Sequence, residues 1–228
     1  MPCALNVRVE CRVDLMAAEA SAAVGHVDLP RSAMHKGRLE AFSDGVMAIL
    51  ITIMVLELRA PDHTGLNSLR PLLPVFLSYV LSFIYLGIYW NNHHHLFQVT
   101  AKVTGAVLWA NLHLLFWLSL IPFVTSWMGD THFAATPAAM YGAVLLMAAV
   151  AYAILQQAIL SSPGGNAVLS AAIGSDLKGK ISPILYAAAI ILSYVNRWIA
   201  CGIYVLTALI WLILDRRIER AMALRKGD

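Results

Sequence analysis

The sequence predicts an all-α polytopic membrane protein with six transmembrane helices, and three observations carry that expectation. Apolar residues make up 60% of the chain and charged residues only 13%, too apolar a balance for a soluble domain of 228 residues. The apolar residues gather in runs near the roughly 20 residues that an α-helix needs to cross a hydrocarbon core of about 30 Å. The basic residues fall between these runs, mostly on one side of a six-span arrangement.

Taken in order, the first 33 residues mix Arg8, Glu10, Arg12, Asp14 and Glu19 with alanines. They lack the basic start and apolar core of a secretory signal, so residues 1–33 read as a disordered cytosolic extension. Residues 34–217 read as the transmembrane domain. Its first span covers 38–58, and its second 72–95, with Pro71 and Pro74 at the start, where a missing amide is tolerated. The third covers 103–127 and the fourth 140–160, after which Ser161, Ser162, Pro163, Gly164 and Gly165 break the pattern. The fifth run, 181–195, is short for a crossing. Either its helix begins inside the preceding loop, or it joins the sixth run, 198–214, in one bent hairpin around Asn196 and Arg197. Residues 218–228 form a basic cytosolic tail.

Lys36, Arg38, Lys102, Lys178, Lys180, Arg216, Arg217, Arg220, Arg225 and Lys226 share one side of this arrangement, against Arg59, Arg70 and Arg197 on the other. By the positive-inside rule both termini are cytosolic and the protein is multi-pass in the cell membrane. A formal net charge of +3 without a polybasic domain argues against a nucleic-acid partner. Cys3, Cys11 and Cys201 supply neither a disulfide framework nor zinc spacing.

The first span is the informative one. Arg38, Glu40 and Asp44 open an otherwise apolar segment, and ionisable groups at membrane depth survive when they face protein or water and are paired. At about 100° per residue, Ile49, Thr52, Ile53 and Leu56 fall on one face, with Phe42 and Arg38 within about 20° of Ile49 and Asp44 about 140° away. Lipid or a packed neighbour would accept the same apolar stripe. No Thr-Val-Gly-Tyr-Gly stretch is present, so the usual ring of backbone carbonyls for selecting potassium is absent.

Arg38, then three residues, then Phe42, Ser43, Asp44 and Gly45, resembles the signature of the transmembrane protein 175 family, the lysosomal potassium channels and their prokaryotic relatives. The resemblance extends through Glu57, the tryptophan and histidine cluster at the end of the second span, and the third span. It implies a potassium-permeable homotetramer with the first helix of each subunit lining a central pore. It also implies that Ile49 forms the narrowest ring, Thr52 a polar ring one turn outward, and Leu56 a further apolar ring. Such an isoleucine constriction strips water without supplying ligands, which favours potassium, the less tightly hydrated of the two common monovalent cations, over sodium.

The second span ends Tyr89, Trp90, Asn91, Asn92, His93, His94, His95, and the third holds Trp109, Asn111 and His113. An isolated Asp44 at that depth is costly, so a donor from among Trp90, His94 and Asn111 is expected. The resemblance implies such a network around the motif, steadying the pore helix. Consecutive histidines point about 100° apart and cannot converge on one metal ion, and neither a metal site nor a cofactor is expected. Glu57 either attracts cations to the outer mouth or snorkels to the interface. The competing functions are a secondary transporter of protons or small solutes, or a proton-conducting protein, where a transporter would show matching inverted halves that are not evident, and an intramembrane metallohydrolase, for which the nucleophile or ligand spacing is missing.

Overall fold

A computed structural model describes residues 31–61, 64–98, 100, 102–162 and 177–214. The expected extension over 1–33 lies outside them except for residues 31–33, which are helical, and so does the tail 218–228. Helix α1 spans Arg31–Leu56, and a 3-10 turn over Leu66–Leu72 leads into α2, Leu73–Gln98. The rest follow as α3, Gly105–Ser119; α4, Ile121–Asp130; α5, Ala135–Leu160; α6, Leu177–Ser193; and α7, Arg197–Leu214. Every described element is helical.

Four stretches, Lys36–Leu56, Leu66–Gln98, Gly105–Asp130 and Ala135–Leu160, are long and apolar enough to cross a bilayer, and α6 and α7 are shorter apolar helices. At about 1.5 Å per residue, the 17 residues of α6 reach roughly 26 Å, close to the thickness of a thin hydrocarbon core.

The third span is two helices rather than one. Pro122 has no amide to donate and its ring crowds the preceding turn, so α3 stops at Ser119 and α4 restarts with the proline in its first turn. Leu120 bridges them, its amide reaching the Trp117 carbonyl at 3.3 Å. Thr104 caps α3 by accepting from the Val107 amide at 3.4 Å. Of the two expectations for the fifth run, the first holds, since α6 begins at Leu177, inside the loop. Asn196 then starts α7, its side chain accepting from the Trp198 amide at 2.9 Å.

Packing is organised around α5, which touches α3, α4, α6 and α7, while α2 packs on α4 and α7. Its buried face is rich in small residues, Ala138, Ala139, Gly142, Ala148 and Ala151 among them, and these allow helix backbones to approach. A β-carbon at Gly142 would collide with the Tyr204 hydroxyl and ring, so that position admits no side chain. Four buried tyrosines, Tyr85, Tyr141, Tyr186 and Tyr204, meet edge to face at centroid distances of 5.4 to 6.4 Å. Their hydroxyls are spoken for: Tyr85 donates to the Tyr204 carbonyl at 2.7 Å, and Tyr204 to the Ala138 carbonyl at 2.9 Å. Ser82 joins Thr125 at 2.6 Å and Tyr141 at 3.1 Å, tying α2, α4 and α5 together through hydroxyls where no water competes.

Candidate functional site

Helix α1 has two unlike faces. Leu39, Ser43, Met47, Leu50 and Met54 recur every three or four residues and are buried against the bundle, Met47 at 1% exposure and Met54 at 2%. The opposite face is open: Phe42 is 53% exposed, Ile49 56%, Ile53 41% and Leu56 78%, with Arg38, Gly45 and Thr52 exposed in the same stripe. A β-carbon added at Gly45 would meet nothing within 4 Å. Helix α1 therefore seats a seam of leucine, methionine and Ser43 in the bundle and leaves Phe42, Ile49, Ile53 and Leu56 standing out from it.

Thr52 adds a chemical detail to that open face. Its hydroxyl donates to the Ile49 carbonyl at 2.9 Å, which fixes the hydrogen on the helix. The oxygen lone pairs remain directed away from the backbone, so the group offers an acceptor to whatever lies beside it, as a cation requires.

On the buried side the polar network is directional. Ser43 donates to the Leu39 carbonyl at 2.9 Å, the Asn111 amide donates to the Ser43 oxygen at 2.9 Å, and the Asn111 carbonyl oxygen lies 2.8 Å from His93 Nε2. Because Asn111 spends its NH2 on Ser43, its oxygen is left to accept, which makes His93 Nε2 the protonated nitrogen. Beside this relay, Trp90 Nε1 donates to Asp44 Oδ1 at 3.0 Å. The expected donor to Asp44 is thus Trp90. Asn111 serves Ser43 instead, and His94 stacks on the Trp90 ring at 6.0 Å and pairs with Gln98 at 2.8 Å.

His93 is the member that reading the motif alone overlooks. It lies in register with Tyr85, Leu86, Tyr89, Leu96 and Phe97 on the buried face of α2, so helical periodicity was the signal that marked it. Two contacts fix the ends of α1. Lys36 Nζ donates to the Gln98 carbonyl at 3.3 Å and the Thr100 carbonyl at 3.1 Å, and Ser126 donates to Glu57 Oε2 at 3.2 Å. Among the described residues, no group of three or more metal-ligating side chains comes together.

Residues 38–122 match the family described as Endosomal/lysosomal potassium channel TMEM175. A potassium channel of a Chryseobacterium strain is 58% identical over 189 residues, covering 83% of this chain and 98% of that protein. The chain belongs to the TMEM175 family. A potassium channel of Chamaesiphon minutus is 31% identical over 182 residues, 73% of this chain and 88% of that one. The crystal structure of a lysosomal potassium-selective channel TMEM175 homolog from Chamaesiphon minutus resembles this one with a TM-score of 0.71 at 30% identity, covering 79% of this chain and 97% of that one. The matched TMEM175 segment begins at Arg38 and ends at Pro122, the proline that separates α3 from α4. It therefore contains the open stripe of α1, the Trp90–Asp44 contact and the whole Ser43–Asn111–His93 relay.

Proposed function

We propose that this TMEM175 chain is one subunit of a potassium-permeable channel, a homotetramer whose four α1 helices enclose the conduction path. The observation that carries the reading is the two-faced α1: one face is locked to the bundle by Ser43, Met47, Leu50 and Met54, and the other leaves Phe42, Ile49, Thr52, Ile53 and Leu56 exposed in the single subunit. A single stripe cannot enclose a pore, so symmetric copies must complete it. The relatives' names, potassium channel, support the permeant ion.

In this reading Ile49 supplies the narrowest ring, which passes an ion only after it has lost much of its water, and Leu56 a second apolar ring. The Thr52 oxygens one turn away return part of the lost solvation, with lone pairs already oriented by the bond to the Ile49 carbonyl. Discrimination then follows from hydration, and modest preference for potassium over sodium is the outcome. Ser43, Asp44, Trp90 and Asn111 hold α1 in the register that presents Ile49, with Arg38, Phe42 and Gly45 continuing the exposed side towards the cytosolic mouth. The clustering of basic residues supports cytosolic termini and placement in the cell membrane.

The test is flux through the purified chain in liposomes, with potassium and sodium compared and proton movement followed by a pH-sensitive dye. Ile49→Asn raises flux and weakens the preference for potassium, because a wettable ring lets both ions keep more hydration. Cadmium blocks Ile49→Cys and leaves Met47→Cys nearly untouched. Equal block at both positions, or normal flux without block at Ile49→Cys, removes the isoleucine ring.

A further inference from the structure

We propose that each subunit also carries a binding site for an anionic amphiphile, an acyl chain with a carboxylate or phosphate headgroup, in a cavity bounded by α2, α5, α6 and α7. The cavity holds about 160 Å³. An engineered apolar cavity of about 150 Å³ is large enough to admit a benzene-sized guest, so this one accepts the end of a hydrocarbon chain.

Its buried lining and its rim differ in chemistry. The floor is aromatic and buried, formed by Tyr85, Tyr89 and Tyr186, with Tyr186 edge-on to Tyr85 at 6.2 Å and Tyr89 edge-on to Tyr152 at 6.2 Å. One wall is Ala149 and Ala153 of α5, half-buried and exposed respectively, whose methyl groups take up little of the space. The rim is polar and exposed at Gln157 and Lys180, and Lys180 is the charged side chain among the described lining residues. Apolar rings inside and a cation at the entrance are the reverse of a hydrated ion path, and they match a tail that enters while its anionic head stays at the rim.

The mouth also lies at the right depth. Tyr152 donates to the Asn92 carbonyl at 3.2 Å, and Lys36 to the Gln98 and Thr100 carbonyls. The end of α5, the end of α2 and the start of α1 therefore share one end of the bundle, where headgroups lie. Tyr89 on the cavity floor adjoins Trp90, which holds Asp44, so an occupant bears on the segment of α2 that positions α1. The site is separate from the open stripe and does not depend on the channel reading.

The experiment is photolabelling of the full-length purified protein, in nanodiscs of zwitterionic lipid, with palmitate carrying a diazirine near its terminal methyl. Label on α5 and α6 peptides around Ala149, Ala153 and Tyr186, displaced by unlabelled palmitate, is the expected result. Lys180→Gln lowers labelling at least threefold for the palmitate probe and leaves a matched alcohol probe unchanged, which separates headgroup recognition from simple partition. Ala149→Phe, or Ala153→Phe should the first fail to fold, abolishes the cavity label while potassium flux persists. Label confined to outward helix faces, or undiminished in both filled variants, overturns the proposal, as does an equal response of the two probes to Lys180→Gln. A chain that is labelled as expected yet conducts no potassium leaves this site standing and removes the channel reading alone.

Discussion

Helices α1 and α5 are both 26 residues long and both apolar, yet 28% of the spanning window of α1 is buried within the subunit against 50% for α5. Apolarity therefore does not decide which helix lies at the centre, because lipid tails receive leucine as readily as a protein interior does. Size and polarity decide it. Helix α5 offers Ala138, Ala139, Gly142, Ala148 and Ala151, against which neighbours close to van der Waals contact and trap tyrosine rings. Helix α1 leaves Phe42, Ile49, Ile53 and Leu56 exposed on one side and is held on the other by a single seam of methionine, leucine and serine.

The largest effect should come from breaking the α5 side of this contrast. Gly142→Leu drives a side chain into Tyr204 and is expected to cost about 3 kcal/mol or prevent folding, read as lost thermal stability or monodispersity in detergent. Its counterpart Gly45→Leu, with open space around the added atoms, should leave subunit melting within about 0.5 kcal/mol of the parent while lowering potassium flux. Comparable destabilisation by the two would erase the distinction between the helices.

An intermediate effect is expected at the seam. Ser43→Ala strands the buried Asn111 amide and should cost about 2 kcal/mol by thermal melt. Asp44→Ala removes the acceptor of Trp90, a donor exposed in the single subunit, and should cost at most about 1 kcal/mol, with assembly reduced before any change in ion preference. Normal assembly with altered preference would move Asp44 into the conduction path. The smallest effect belongs to Thr52→Val, which keeps the shape, leaves melting unchanged and lowers potassium flux moderately. Unchanged flux would take Thr52 off the ion's route.

The sequence told these two helices apart unevenly. Its stripe of Ile49, Thr52, Ile53 and Leu56 was legible because a 3.6-residue period survives in any environment, and the motif from Arg38 to Gly45 named the family. The choice of Trp90 as partner to Asp44 was within reach for the same reason, since one span end had to meet the other. The centrality of α5 was not legible, because alanine and glycine carry no hydropathy signal that separates a lipid-facing stretch from a packed one. Nor was the tyrosine cluster, whose members lie on α2, α5, α6 and α7 and acquire meaning only when those helices meet. The break at Leu120 was visible in Pro122, but a run of apolar residues on both sides hid it within one apparent span.

The hydroxyl bonds of α2 also set terms for how the chain is made. Ser82 finds its partners 43 and 59 residues later, and Tyr85 finds its own 119 residues later. At a synthesis rate of about 5–20 residues per second, the second helix waits seconds in the insertion machinery with those groups turned back on its own carbonyls or towards residual water. Only emergence of α7 closes the set, so α2 keeps provisional partners until that helix has been made.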